Sequence, residues 1–144
     1  VTYSDDCVKL VKDSEGCSLR AYRDPIGIWT IGFGHTGPEV IDGLEWTVAQ
    51  ACAQLAADLQ IACEGVLKLV HVSITQGQLD ALTDFAFNEG IGQLRNSTLL
   101  RKLNSGYRDE VPAELERWVF AGGKKLPGLI ARRQREIGLW TKTT

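Results

Sequence analysis

The chain has 144 residues, 44% of them hydrophobic, and a formal net charge of −2. That is enough apolar material for a packed core in one domain or two small lobes, and it excludes a disordered or low-complexity chain. No stretch reaches the ~18 consecutive apolar residues of a membrane span; no leader peptide is read at the start, which is Val1 and not a Met and so says little about targeting; and four cysteines without a C-x-x-C pair, beside two histidines, argue against a zinc site.

A first helix is predicted from about Ser4 to Ser14, capped by Ser4 or Asp5, with Cys7, Leu10 and Val11 on one face and Gly16 as its stop. Glu15 then falls in or just after the last turn, where its backbone is held while its carboxyl faces a cleft. Residues 18–37 change character. Leu19, Ala21, Tyr22, Ile26, Ile28, Trp29, Ile31 and Phe33 are interleaved with Asp24-Pro25, Gly27, Gly32 and Gly34. This reads as a small antiparallel sheet with a tight turn near Asp24 to Gly27, Asp24 on or beside the turn and Thr30 on the next strand. Trp29 should point away from Thr30 and pack behind it. Gly32 and Gly34 leave one strand face bare, for a ligand or another backbone to approach, or for a simple bend. Residues 38–46 are expected to be a loop.

From Thr47 the period becomes helical, with Val48, Cys52, Leu55 and Leu59 on one face of a helix continuing to about Cys63. After Gly65 the pattern is entirely α. Helices are expected from about Thr75 to Asn88, from Asn96 or Ser97 to Ser105, from Pro112 with Leu115, Trp118 and Val119, and from Pro127 with Leu129, Ile130, Ile137 and Trp140. The fold class is therefore α+β, mostly α: a small antiparallel β-sheet lobe (about 15–60) and a larger helical lobe (about 61–144 plus the N-terminal helix), joined by a helix within one domain, 1–144.

Charge is uneven, with five basic and ten acidic residues in 1–72 against eleven and eight in 73–144. A basic second half suits an anionic polymer such as a cell wall, or is simply a set of solvated faces and ion pairs. Cys52 and Cys63 lie three turns apart on one predicted helix and cannot bridge each other. Cys7 and Cys17 flank Glu15. The simpler reading of all four is as small buried hydrophobes, though one pairing remains open.

Eight residues separate Glu15 from Asp24, and five separate Asp24 from Thr30. An acid, a base and a hydroxyl fixed by a hairpin beside a helix end are the parts that hydrolyse a glycosidic bond. The attached Gly27-Ile28-Trp29-Thr30-Ile31-Gly32-Phe33-Gly34-His35-Thr36-Gly37 makes the pattern much more specific. With Phe87-Asn88-Glu89-Gly90, Ser97-Thr98-Leu99-Leu100, Arg117-Trp118, Ala121-Gly122-Gly123-Lys124, Pro127-Gly128-Leu129 and Arg132-Arg133, it resembles the phage-type lysozymes, or endolysins, over nearly the full chain.

The resemblance implies a lysozyme-like fold and a peptidoglycan substrate. It implies cleavage of the β-1,4 bond between N-acetylmuramic acid and N-acetylglucosamine by an inverting route. Glu15 is then the general acid, kept protonated by a partly apolar site. Asp24 activates a water that Thr30 helps to place. The resemblance also points to Thr36, Phe87, Asn88, and Ser97 or Thr98 as substrate contacts, with Phe87 equally readable as core. His35 is read as structural or as an ion-pair partner, and Trp118 and Trp140 as core anchors. Expected besides are no cofactor, no metal, no nucleic-acid partner, a monomer, and synthesis in the host cytoplasm with action in the periplasm or cell wall. A lytic transglycosylase or chitinase on the same fold is a rival, weakened by the presence of Asp24. A non-catalytic peptidoglycan-binding module is another.

Overall fold

The computed structural model describes residues 1–142. The chain divides into two compact units, residues 11–58 and residues 1–10 with 59–144, so that helices α1 (Asp5–Glu15) and α2 (Val48–Leu69) each contribute to both.

The first unit holds a three-stranded antiparallel sheet, β1 (Ser18–Arg23), β2 (Trp29–Gly32) and β3 (His35–Thr36), in the order β1-β2-β3. Tyr22 pairs with Thr30 and Arg23 with Trp29, while Ser18 pairs with Gly32, so β1 carries a bulge between Ser18 and Tyr22. The extra residues turn to the segment 44–46: Ala21 N–H donates to the Leu44 carbonyl at 2.9 Å and Trp46 N–H to that of Leu19 at 2.8 Å. The expected loop therefore backs the sheet by its main chain. Ala21, Ile31 and Val40 form the small core beneath, with Trp29, Leu44 and Trp46 packed on it. Trp29 takes the face opposite to Thr30, as alternation along a strand requires.

The second unit is built on α3 (Gln76–Glu89), α4 (Ile91–Arg95), α5 (Thr98–Asn104), α6 (Val111–Leu115) and α7 (Pro127–Trp140), with a 3₁₀ turn at Arg108–Glu110. Thr75 and Gln78 make a reciprocal capping box that starts α3, and the Ser97 hydroxyl caps α5. Leu79, Leu82, Phe85, Leu94, Leu99, Leu103, Leu115 and Trp140 meet in one core. Trp140 is buried, and Trp118 packs edge-on against Phe85 with centroids 5.2 Å apart.

Three expectations are corrected. Helix α2 runs to Leu69, past Gly65, because that glycine is a packing notch: a Cβ there would lie 2.7 Å from Ile91 Cδ1. The helix that starts beside Pro112 stops at Leu115, leaving Trp118 and Val119 outside it. The stretch after Val119 is not α but a two-residue-loop hairpin of β4 (Phe120–Ala121) and β5 (Lys124–Lys125). Gly122 and Gly123 turn it with φ of 57° and 77°, the left-handed conformation such a tight turn demands.

Candidate active site

Glu15, Asp24, Thr30 and Thr36 all belong to the sheet-bearing unit. Glu15 is the last residue of α1. Its carboxyl is seated on the α-carbon of Gly34, where a Cβ would stand 2.8 Å from both Cδ and Oε1. Gly34 has φ of 78°, so the loop between β2 and β3 needs glycine twice over, for its backbone and for this carboxyl.

Asp24 caps the β1–β2 turn with one oxygen. Its Oδ1 accepts the N–H groups of Ile26 at 3.0 Å and Ile28 at 2.8 Å, and Oδ2 accepts nothing among the described residues. The Ile28 carbonyl in turn accepts the Asp24 N–H at 2.9 Å and the Thr30 hydroxyl at 3.0 Å. The turn thus fixes the carboxylate, and the Thr30 proton is committed to the main chain, leaving the hydroxyl oxygen as an acceptor. A water held between Asp24 Oδ2 and Thr30 Oγ could donate both its protons.

Thr30 is opposite Tyr22 on one side and Thr36 on the other, so the three form a row across the sheet. Sequence reading missed Tyr22; its position two residues before Asp24 on a predicted strand was the available signal. Burial, then the negative charges of Glu15 and Asp24, push its phenol above 10.0.

His35 is clamped by two carboxylates, with Nδ1 2.7 Å from Asp58 and Nε2 2.6 Å from Glu39. Burial opposes its charge, but hydrogen bonds to Glu39 and Asp58 outweigh it and hold the imidazolium above the usual value. Its ring also lies 5.7 Å from that of Trp46. Both nitrogens are engaged in holding the loop after Gly34 and α2, the ion-pair role read from the sequence.

Phe87, Asn88, Ser97 and Thr98 fall in the helical unit. The Asn88 carbonyl oxygen accepts Arg133 Nη2 at 2.6 Å, so the side chain is oriented with its NH₂ end left to donate. Phe87 packs partly into the core, with the Arg132 guanidinium 5.9 Å from its ring centre. Ser97 is buried and its hydroxyl both donates to the Leu94 carbonyl at 2.7 Å and accepts the Leu100 N–H at 3.0 Å. Ser97 and Thr98 line a cavity of about 350 Å³ with Asn96, Arg117 and Trp118.

Behind Asn88 is a buried charge network that the sequence did not disclose. Arg132 forks onto Asp84 through Nε at 3.0 Å and Nη2 at 2.7 Å. Burial would raise the Asp84 carboxyl, but a hydrogen bond from Glu136 and the charge of Arg132 hold it below the usual range. Glu136 is pushed the other way, by burial first and then by Asp84, against the pull of the Arg133 guanidinium 2.9 Å from it. All four cysteines are unpaired; Cys7 and Cys63 are buried, and Cys17 is exposed. Among the described residues no helix is long and apolar enough to cross a membrane.

The model of the phage lysozyme family matches residues 12–136. The chain belongs to the phage lysozyme family. Curated relatives of this phage-lysozyme chain include the endolysin of Bacillus phage PZA, 41% identical over 139 residues, which cover 95% of the chain and 54% of that protein. The SAR-endolysin of Enterobacteria phage PA-2 is 39% identical over 128 residues, covering 88% of the chain and 78% of that protein. The chain thus spans about half the length of the first of these relatives and over three quarters of the second. Among solved structures, the muramidase domain of SpmX from Asticaccaulis excentricus superimposes with a TM-score of 0.87 at 37% identity, covering 96% of this chain and 97% of that one. The mixed α+β, lysozyme-like fold follows from these relatives, and so does its class, a lysozyme-type hydrolase.

Proposed function

We propose that the chain is the muramidase of an endolysin, cutting the β-1,4 bond between N-acetylmuramic acid and N-acetylglucosamine of the bacterial cell wall by a single inverting displacement. The observation that carries this reading is the division of labour in the β1–β2 turn. Asp24 Oδ1 holds the turn while Oδ2 accepts nothing among the described residues, and Thr30, whose proton goes to the Ile28 carbonyl of the same turn, keeps an oxygen that can only accept. A water donating to both is aligned with one lone pair toward the sugar. As its oxygen bonds to the anomeric carbon, one water proton passes to Asp24. The bond to the leaving oxygen breaks, and that oxygen takes the Glu15 proton. No covalent sugar–enzyme intermediate forms, and no cofactor is needed.

Phe87, Asn88 and Thr98 are further substrate contacts in this reading, with Thr36 beside the acid–base pair. Asn88 offers an amide donor already oriented by Arg133, and Thr98 lines a cavity with Asn96 and Arg117. Ser97 contributes chiefly by fixing the start of α5. The reading places the protein's action at the cell wall, as a monomer and without nucleic acid, after synthesis in the host cytoplasm.

Mass analysis of peptidoglycan digests tests this directly. Reducing muramic ends carrying oxygen from labelled water, released first as the α-anomer, are expected from the wild type and absent with Glu15→Gln. A 1,6-anhydro product would make the chain a lytic transglycosylase. Wall binding without any cleavage would make it a binding module.

A further inference from the structure

Tyr22 is the group on the catalytic face of the sheet to which the mechanism above gives no task. It opposes Thr30 in the β1–β2 register, in the row that continues to Thr36. Opposed residues of antiparallel strands project to the same face. The chain neighbours Ala21 and Ile31 project to the other face, into the small core. Asp24 follows two residues on, just past the end of β1. Tyr22 is 40% exposed where Thr30, its partner in the register, is 4% exposed, so of the two only the tyrosine is open to solvent. Its O–H makes no hydrogen bond within the described residues. The charges of Glu15 and Asp24 both reach it, which places it in the field of acid and base together and keeps its proton on at working pH.

Apart from the Thr36 hydroxyl at the far end of the row, the hydrogen-bond inventory of this face is one-sided. The Thr30 proton goes to the Ile28 carbonyl, Asp24 Oδ2 and Thr30 Oγ accept, and the Glu15 proton is the one transferred. An N-acetylated sugar brings acceptors as well as donors, in its acetamido carbonyl and its hydroxyl oxygens. On the carboxylate side of the row, Tyr22 is the donor that gives up no other bond to meet them. A phenol also offers a rigid apolar edge to a sugar ring at little conformational cost.

We propose that Tyr22 is a substrate-positioning residue, whose hydroxyl donates to an acceptor oxygen of the sugar being cut and so holds its anomeric carbon between Glu15 and the water on Asp24. This rests on the acid–base assignment above.

Tyr22→Phe keeps the ring and removes only the hydroxyl. With soluble peptidoglycan oligomers, kcat/KM is expected to fall about 3- to 10-fold or more, the loss of one hydrogen bond to substrate. Both limbs of the pH–rate profile and Tm should stay in place. Wild-type kcat/KM in Tyr22→Phe overturns the proposal. So does a displaced limb, which would mean that the phenol acts on the carboxyls rather than on the sugar. Glu15→Gln and Asp24→Asn are assayed on the same oligomers. If they remain active, the acid–base assignment itself has failed; if they are inactive while Tyr22→Phe is unimpaired, only the role of Tyr22 has.

Discussion

The carboxyl of Glu15 rests directly on the α-carbon of Gly34, so closely that a methyl group on that carbon would stand 2.8 Å from the carboxyl carbon. Two residues nineteen apart in sequence, one ending a helix and one inside a strand-to-strand loop, therefore share a single contact that fixes the proton donor. Gly34→Ala must both move this carboxyl and place an L side chain at φ of 78°. The backbone penalty is about 1–2 kcal/mol, lowering Tm by several degrees. Displacement of a reacting group by about 1 Å can cost ~100-fold in rate. Activity is thus expected to fall by more than tenfold, well beyond the stability loss, when rate and thermal unfolding are measured on the same preparation. Equal activity in a variant that folds would show that this contact does not position the acid.

Asp24 separates structure from chemistry between its two oxygens. Asp24→Asn retains a carbonyl oxygen for the Ile26 and Ile28 N–H groups. Asp24→Ala removes the acceptor of both bonds. Denaturant unfolding should therefore find the asparagine variant close to wild type and the alanine variant about 1 kcal/mol less stable. Both should lose activity by about 100-fold or more, because neither can take a proton from water. A comparable loss of stability in the two variants would mean that the turn does not depend on Oδ1.

How far the sequence discloses this site depends on whether a feature is local. Glu15 at a helix end, Asp24 at a turn and Thr30 on the following strand are all set by neighbours within a few residues, through the apolar stripe of α1 and the Asp-Pro and Gly signals of the hairpin. The capping box at Thr75 is local too. Gly65 misleads, because its role is to admit Ile91 from a distant helix rather than to end α2. Strands of two residues, as at Phe120–Ala121, are too short for any periodicity to register. The row of Tyr22, Thr30 and Thr36 needs the register, and the register depends on a bulge in β1 that no residue pattern marks. The Arg132–Asp84 pair joins positions 48 apart, and the sequence offers only a double arginine to suggest it.

The clamp on His35 should make stability depend on pH. In the folded chain the imidazolium is favoured by Glu39 and Asp58 and titrates above the ordinary 6.5 of the unfolded chain. Its contribution is then fully present below about pH 6.5 and is lost as pH rises through the folded value. Thermal unfolding of wild type and His35→Gln, compared at about pH 5.5 and about pH 9, should show the larger difference in Tm at the lower pH. A difference that is constant, or that grows toward pH 9, would mean that the ring is neutral in its clamp.

The fork of Arg132 on Asp84 is closed off from water, with side chains 4% and 0% exposed. Removing one partner of such a pair leaves a charge without compensation, at a cost of about 3–5 kcal/mol. Arg132→Met is the informative change, since the apolar stem is kept and the guanidinium lost. Asp84 would then keep only the hydrogen bond from Glu136 and the more distant Arg133 to stabilise its charge. Adding Asp84→Asn removes the orphaned charge while keeping an amide of nearly the same shape in its place. Urea unfolding is therefore expected to show the double variant regaining more than half of the stability lost by Arg132→Met alone. If the two losses simply add, the damage comes from packing against Phe87 and its neighbours and not from an isolated carboxylate.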